Sequence, residues 1–418
     1  MRSLYIILLF LGLPLALLRL YLRSLKNPAY RERVSERFGL IPTPELQQSL
    51  WLHTVSVGET QAAEPLVRRL QKHFPDLPIV ITTTTPTGAD RVEKLFGDSV
   101  IHLYFPYDLP FAVRRFLDRI NPRLLVMMET EVWPNLLALC EQRGIPAILA
   151  NARMSEKSAK GYARLGEFSR QTFASISMVA AQSPADAERF LGLGVLPDRV
   201  RVTGSIKFDV RLPASLQEQA EALRRGWAGR PVWVAASTRD GEDEQVLEAH
   251  RRILRDLPQT LLVLVPRHPE RFDRVAQLCR REGFSVERRS VEAFCSPETQ
   301  VFLGDTMGEL PQFLAAADVA FVGGSLVATG GHNVLEPAAL GLPVVFGPHM
   351  FNFAMASRML LAEGAARQVA RSSELAEVVL EWLSDASLRA RFGERGLQVV
   401  EANRGALDRL YDIVSERL

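Results

Sequence analysis

From Leu50 onward the chain alternates two hydrophobic periodicities. Short apolar runs read as strands: "LWLHTVSV", "PIVITTTT", "VIHLYFP", "RLLVMME", "PAILANA", "SMVAAQ" and "RVRVTGS". Amphipathic helical patterns lie between them. A polar helical stretch, "PASLQEQAEALRRGW", follows, and "AGRP" reads as a linker. A second series then begins: "VWVAAS", "TLLVLVP", "FSVER", "QVFLG", "VAFVGG" and "PVVFG". From Ser372 to Leu418 the pattern is mostly helical. Several runs are apolar throughout, as strands of a parallel sheet covered on both faces must be. The alternation predicts two doubly wound α/β lobes with a cleft between them. The length, 418 residues, is also large for one core.

The start of the chain follows a different rule. "LYIILLFLGLPLALL" is uncharged from Leu4 to Leu18. It is short of the ~20 residues of a full span. Leu20, Tyr21 and Leu22 extend it past Arg19, whose stem can snorkel. A cleaved signal peptide wants basic residues before the run and a small-residue site after it. Here Arg19, Arg23, Lys26, Arg31, Arg33 and Arg37 follow instead. That asymmetry keeps the following chain cytoplasmic, and it suits an anionic leaflet. The expectation is an uncleaved anchor or a deeply seated interfacial helix.

Composition removes some classes. The net charge of +2 gives no reason to expect a nucleic-acid partner. Cys140, Cys279 and Cys295 are far apart and form no CxxC pair, so they read as reduced thiols. His53, His332 and His349 lack metal-ligand spacing, and there is no GxSxG nucleophile elbow.

Doubly wound sheets bind ligands at the carboxyl ends of their strands. Glu59 follows the first strand. In the first turn of a helix it would simply complement the macrodipole. Pro65 leaves two options: a kinked helix, or one beginning near Ala62 that leaves Glu59 in a loop facing the cleft. Glu129 and Glu131 follow the fourth strand, either as caps or as a pair that raise each other's pKa. Lys207 and Asp209 follow the seventh. In the second lobe the strand ends carry "STRDGE", "PRHPE", "GDTMGE" and "GGSLVATGGHNVLEP". Arg267 can fork onto a phosphate or pair with Glu270. The Gly-rich turn lets backbone amides approach a ligand, with a helix N-terminus behind it. It matches neither GxGxxG nor GxxxxGK[ST]. These features fit a nucleotide-sugar transferase.

The stretches "NPAYRERVSERFG", "HTVSVGET", "TTTTPTGADRV", "PYDLP", "METEVWPN", "NARMSEKSAKGYARLG", "VTGSIKFD", "VPRHPERF", "GDTMGEL", "AFVGGSLVATGGHNVLEPAALGLPVVFGP" and "FNF" resemble the bacterial lipid A Kdo (3-deoxy-D-manno-octulosonic acid) transferase family. They cover nearly the whole chain. The resemblance implies a GT-B fold of two Rossmann-like lobes behind a membrane anchor: 1–24 as anchor, 25–211 as acceptor lobe and 212–418 as CMP-sugar lobe. The C-terminal helices are expected to pack back toward the first lobe. It further implies CMP-Kdo as donor and the tetraacyl lipid A precursor as acceptor. The implied place is the cytoplasmic face of the inner membrane. Inversion of the anomeric centre and no metal or other cofactor are also implied.

By the same resemblance Glu59 is the general base, with Glu129 and Lys207 stabilising the transition state. The CMP contacts fall on Pro266, Arg267, Met307, Gly308, Glu309, Asn333, Val334, Leu335 and Glu336. Arg267 and a helix starting at Asn333 would hold the phosphate, and Glu336 would bond the ribose or base. Two rival readings lose ground. A bilobed solute-binding protein is disfavoured by the basic residues after Leu18. A UDP-sugar transferase or epimerase is disfavoured by "SVGET" and "METEVWPN".

Overall fold

The strands form where the apolar runs lie. In a computed structural model describing residues 1–42, 45–210, 212–292 and 294–418, the first series gives β1 (Ser49–His53), β2 (Ile79–Thr83), β3 (Ile101–Tyr104), β4 (Pro122–Met128), β5 (Ala147–Ala152), β6 (Met178–Ala181) and β7 (Val200–Val202). The second gives β8 (Val232–Thr238), β9 (Leu261–Pro266), β10 (Val286–Arg288), β11 (Val301–Leu303), β12 (Val319–Val322) and β13 (Val344–Phe346). One further strand, β14 (Ala366–Gln368), was not expected. It is a three-residue edge strand ending in Arg367 and Gln368, too short and polar to show as an apolar run.

Both sheets are parallel. Their orders are β3-β2-β1-β4-β5-β6-β7 and β10-β11-β9-β8-β12-β13-β14. Every residue of β1, β2, β5, β8 and β9 is buried, as expected of strands covered on both faces. Each order reverses beside its first strand, at β1/β4 in one sheet and β8/β12 in the other. Those reversals are the switch points where ligands bind in such folds.

The chain divides into two units, 1–209 with 404–418, and 210–403. The expected boundary at Arg211 lies outside the described residues, and the division falls just before it. Only the last helix, Ala406–Ser415, belongs to the first unit. Asp209 holds it there by accepting the N–H groups of Gly405 at 2.7 Å and Leu407 at 2.6 Å. "AGRP" is not a linker. It is a turn inside the second unit, where Ala228 and Gly229 take positive φ. The Arg230 guanidinium is buried against the carbonyls of Pro297 and Thr299.

The N-terminal run is one helix, Arg2–Ser24, long and apolar enough to cross a membrane.

Candidate active site

In the first unit the switch point is built from carboxylates. "LWLHTVSV" stops being a strand at His53 because Ser56 caps the next helix, Val57–His73. The Ser56 Oγ accepts the Glu59 N–H at 3.3 Å. The Glu59 carboxylate reaches back to accept the Val55 N–H at 2.8 Å and the Ser56 hydroxyl at 2.9 Å. This is a capping-box arrangement, S-x-x-E, with the return bond made one residue further back, to the Val55 N–H. Of the two expected options it bears out the first and overturns the second: the helix begins at Val57, Glu59 sits in its first turn and not in a loop, and Pro65 falls inside. The missing proline N–H leaves the Gln61 carbonyl without a helical donor.

Burial pushes the Glu59 carboxyl upward, and the Val55 N–H opposes this. The charge of Glu129 adds to the upward push. Helix-start stabilisation of the anion is therefore not the winning effect.

Glu129 directly follows β4 with φ of 57°, a left-handed conformation uncommon for a non-glycine residue. The sheet enforces it, since the Glu129 N–H bonds the Ala150 carbonyl of β5 at 2.9 Å. The turn aims its carboxylate at two cations. Arg153 donates from Nε at 2.7 Å, and Lys207 Nζ lies 3.5 Å from the other oxygen. Lys207 is placed by the short turn Ile206–Phe208, whose first N–H bonds the Asn151 side chain at 3.2 Å.

Glu131 completes the cluster. It accepts the Trp133 indole N–H at 3.0 Å. Burial first, then the charges of Glu59 and Glu129, push its pKa up to about 7. His53 Nε2 lies 3.9 Å from it, buried and without a hydrogen-bond partner. Burial drives the imidazole down to about 3, so it is neutral.

The fold thus gathers Glu59, Glu129 and Lys207 at one sheet edge. It adds Glu131 and Arg153. Arg153 was not among the expected site residues; its signal was its place directly after the fifth strand, "PAILANA".

In the second unit the expected residues lie on neighbouring strand ends. Pro266 and Arg267 end β9, Met307–Glu309 follow β11, and Asn333–Glu336 follow the Gly-rich turn after β12. Their availability differs. The side chains of Val334 and Leu335 are fully buried, so only their backbone can face a ligand. Met307 is exposed. The Glu309 carboxylate is held by Arg289 at 2.7 Å and by the Thr306 hydroxyl. Burial raises the Glu336 carboxyl, and the Asn333 amide donates to it at 3.0 Å.

The Gly-rich turn differs from expectation. Three of its amides, Gly324, Ser325 and Leu326, already donate to the buried Glu242 carboxylate at 2.6, 2.9 and 2.9 Å. The helix behind it, Leu335–Ala339, is only five residues long and starts two residues after Asn333. The Asn333 side chain accepts its Leu335 N–H at 3.0 Å.

Positive charge comes from side chains instead. Arg239, at the end of β8, donates to His332 Nε2 at 3.2 Å and also contacts His268. Burial, then Arg267 and Arg271, lower the Arg239 pKa. Burial, then Arg239 and Arg267, hold His332 down at about 4. Mutual repulsion among these groups marks a spot that an anion would relieve. Arg239 was legible in "STRDGE" as a strand-end arginine but received no role.

Among the described residues no cluster of His, Cys, Asp or Glu is arranged to hold a metal.

These two sheets and switch points define a two-lobe α/β glycosyltransferase fold of the GT-B class. The UDP-GlcNAc 2-epimerase of Neisseria meningitidis shares it, with a TM-score of 0.56 at 14% identity over 89% of this chain and 99% of that one. A Rickettsia africae glycosyltransferase gives 0.55 at 14% over 89% and 99%. At that identity the likeness concerns fold alone.

Sequence similarity is narrower. Residues 32–210 match the 3-deoxy-D-manno-octulosonic-acid transferase (kdotransferase) model, and 243–399 match glycosyl transferases group 1. The Haemophilus influenzae 3-deoxy-D-manno-octulosonic acid transferase is 44% identical over 100% of this chain and 99% of its own length. That of Bordetella pertussis is 40% identical over 90% and 89%. The chain belongs to the Kdo transferase family.

Proposed function

We propose that the protein transfers Kdo from CMP-Kdo to a hydroxyl of the tetraacyl lipid A precursor at the cytoplasmic face of the inner membrane, with inversion. Glu59 takes the hydroxyl proton. The freed oxygen forms a bond to the anomeric carbon as the bond from that carbon to the CMP phosphate breaks, and CMP leaves with the electron pair. The single observation that carries this reading is the state of Glu59: a half-buried carboxylate with a raised pKa at the switch point. Each of its oxygens accepts one hydrogen bond, so lone pairs remain for a proton. A raised pKa makes it a stronger base.

Glu129 holds Lys207 and Arg153 in place and keeps Glu59 basic through its charge. Lys207 offsets charge developing on departing CMP. In the second unit Arg267 and Arg239 hold the phosphate, and Glu336 bonds the nucleoside. These cations supply the charge compensation, so the reaction is proposed to need no metal. The acceptor, the donor nucleotide and the residue roles come from the family resemblance together with this geometry.

An assay of purified protein with CMP-Kdo and the lipid A precursor, products read by mass, tests the reaction. Glu59→Gln should retain CMP-Kdo binding and lose transfer. Near-normal turnover by that variant removes Glu59 as the base.

A further inference from the structure

The helix Arg2–Ser24 is apolar enough to span a bilayer, yet both of its ends are fastened to the first unit. At its start, Arg2 Nε donates to the Asn135 side chain at 3.2 Å, and the Tyr5 hydroxyl donates to Asp108 at 2.9 Å. Tyr5 also packs on Phe168, and Phe10 stacks on Phe111 at 6.2 Å. At its other end Ser24 is fully buried, and the chain turns back through Pro28–Arg31 and Val34–Phe38. There Glu36 accepts the Tyr104 N–H at 2.8 Å, and the Arg37 carbonyl accepts that of Tyr107 at 2.8 Å. Tyr5 in the first turn of the helix and Glu36 and Arg37 beyond its end thus lodge on one segment, 104–108. A helix of 23 residues is about 34 Å long. Crossing the bilayer would carry Arg2 and Tyr5 that far from Asp108 and Asn135, which are 2% and 0% exposed within the folded unit.

The geometry points to a monotopic helix that lies in the plane of the cytoplasmic leaflet, with both ends on the same side of the membrane. Its outward face is a stripe of Leu4, Leu8, Leu11, Leu15, Leu18 and Leu22, all more than half exposed. The stripe repeats at helical spacing. Its opposite face, including Tyr5, Leu9 and Leu20, is partly covered.

The occupant of the stripe is an anionic phospholipid bilayer. Exposed Ile7, Phe10 and Tyr21 widen the apolar face beyond the narrow seam of a helix pair. Pairing of two copies would also call for Glu/Lys positions flanking the seam, and 3–18 has no charge. Arg19, Arg23 and Lys26 follow the stripe and match anionic headgroups. The inference concerns placement, so it stands or falls separately from the proposed reaction.

Two measurements on the full-length protein test it. The native cysteines are buried, so Ser3→Cys gives a site for a membrane-impermeant maleimide. Labelling in inverted inner-membrane vesicles, with none in intact spheroplasts, is expected. Labelling from the periplasmic side overturns the inference, because it places the helix start across the bilayer. Flotation with phosphatidylglycerol-containing vesicles tests the occupant. Leu11→Glu with Leu15→Glu should cut the vesicle-bound fraction at least tenfold while the protein stays monomeric. Unchanged flotation overturns the bilayer as its partner, and loss of a dimer in its place assigns the stripe to a second copy.

Discussion

Two glutamates occupy the same topological position in the two units and do opposite things. Glu59 and Glu242 each follow the first strand of their sheet, at the start of the next helix. Glu242 is fully buried and accepts four backbone N–H groups, those of Arg239, Gly324, Ser325 and Leu326. It is a fixed structural anion that ties a strand end to the Gly-rich turn. Glu59 is half-exposed, accepts one backbone N–H and one hydroxyl, and faces two further carboxylates. The fold supplies the position, and the number of donors converging on it decides between a fixed scaffold and a carboxylate with lone pairs left for the proposed role of base.

The comparison breaks most sharply at these two residues. Glu59→Gln keeps the capping box, since Gln serves as well as Glu at that position. Its thermal unfolding should match the parent, while the transfer rate falls by about 10²–10⁴, the usual worth of a general base. Glu242→Gln should do the reverse. An amide nitrogen facing converging N–H donors leaves buried groups unsatisfied, costing about 3 kcal/mol. Urea denaturation reads that loss. Donor binding should weaken only as far as the Gly-rich turn loosens. Equal stability losses in the two variants would erase the difference between scaffold and reagent.

Next in size is the contrast of charge. The first switch point gathers carboxylates, and the second gathers Arg239, Arg267 and Arg271 with His268 and His332. Arg239→Gln should weaken CMP binding about 10- to 100-fold, as expected for losing a charge-assisted contact of about 1.5–3 kcal/mol. Calorimetric titration with CMP measures it. Without the neighbouring guanidinium the His332 pKa should also rise from about 4, visible by NMR. Unaltered CMP affinity would separate the basic cluster from the donor site.

The smaller effect of Glu131 is pH-dependent. Its carboxyl titrates at about 7 in the folded protein against an ordinary 4.5. The folded state therefore holds a proton that the unfolded state releases between those values. Stability from this group falls as pH rises from about 4.5 to about 7, and the penalty is complete above that. Glu131→Gln should leave stability unchanged at about pH 4 and raise it at about pH 8 by on the order of 3 kcal/mol. Unfolding curves at the two pH values decide it; a gain of equal size in acid would assign the effect to packing.

How much of this was written in the sequence depends on the range of the interaction. Strands buried on both faces announce themselves as apolar runs, and valines marked even the less buried Val200–Val202 and Val286–Arg288, so among the described residues only the strand Ala366–Gln368, which has no β-branched residue, was not legible. Glu59, Glu129, Lys207 and Arg267 were legible because each lies just past the carboxyl end of a strand. The family motifs then gave them roles. Contacts between distant segments left no local trace. Glu242 meets Gly324 across 82 positions, so the Gly-rich turn read as open to a ligand when its amides were already engaged. Tyr5 meets Asp108 across 103 positions, so the first helix read as an anchor without any sign that its start is pinned. The start of the Glu59 helix was legible as one of two options. Pro65 kept a later start open, and the S-x-x-E spacing of Ser56 and Glu59 is the local signal that decides for the earlier one.

That cap carries the smallest expected effect, and it separates support from chemistry within one turn. Ser56→Ala removes the acceptor of the Glu59 N–H and the hydroxyl bonded to Oε1, while Val55 still donates to Oε2. Loss of an N-cap serine costs about 1 kcal/mol, which thermal unfolding resolves. The same hydroxyl also lowers the Glu59 pKa. Its removal should move the acid limb of the transfer pH profile upward, with Glu59 more basic but less firmly aimed. Ser56→Thr should restore both stability and profile, because a threonine hydroxyl caps in the same geometry. A Ser56→Ala enzyme with the stability loss but an unmoved acid limb would mean that Ser56 holds the helix and leaves the base untouched.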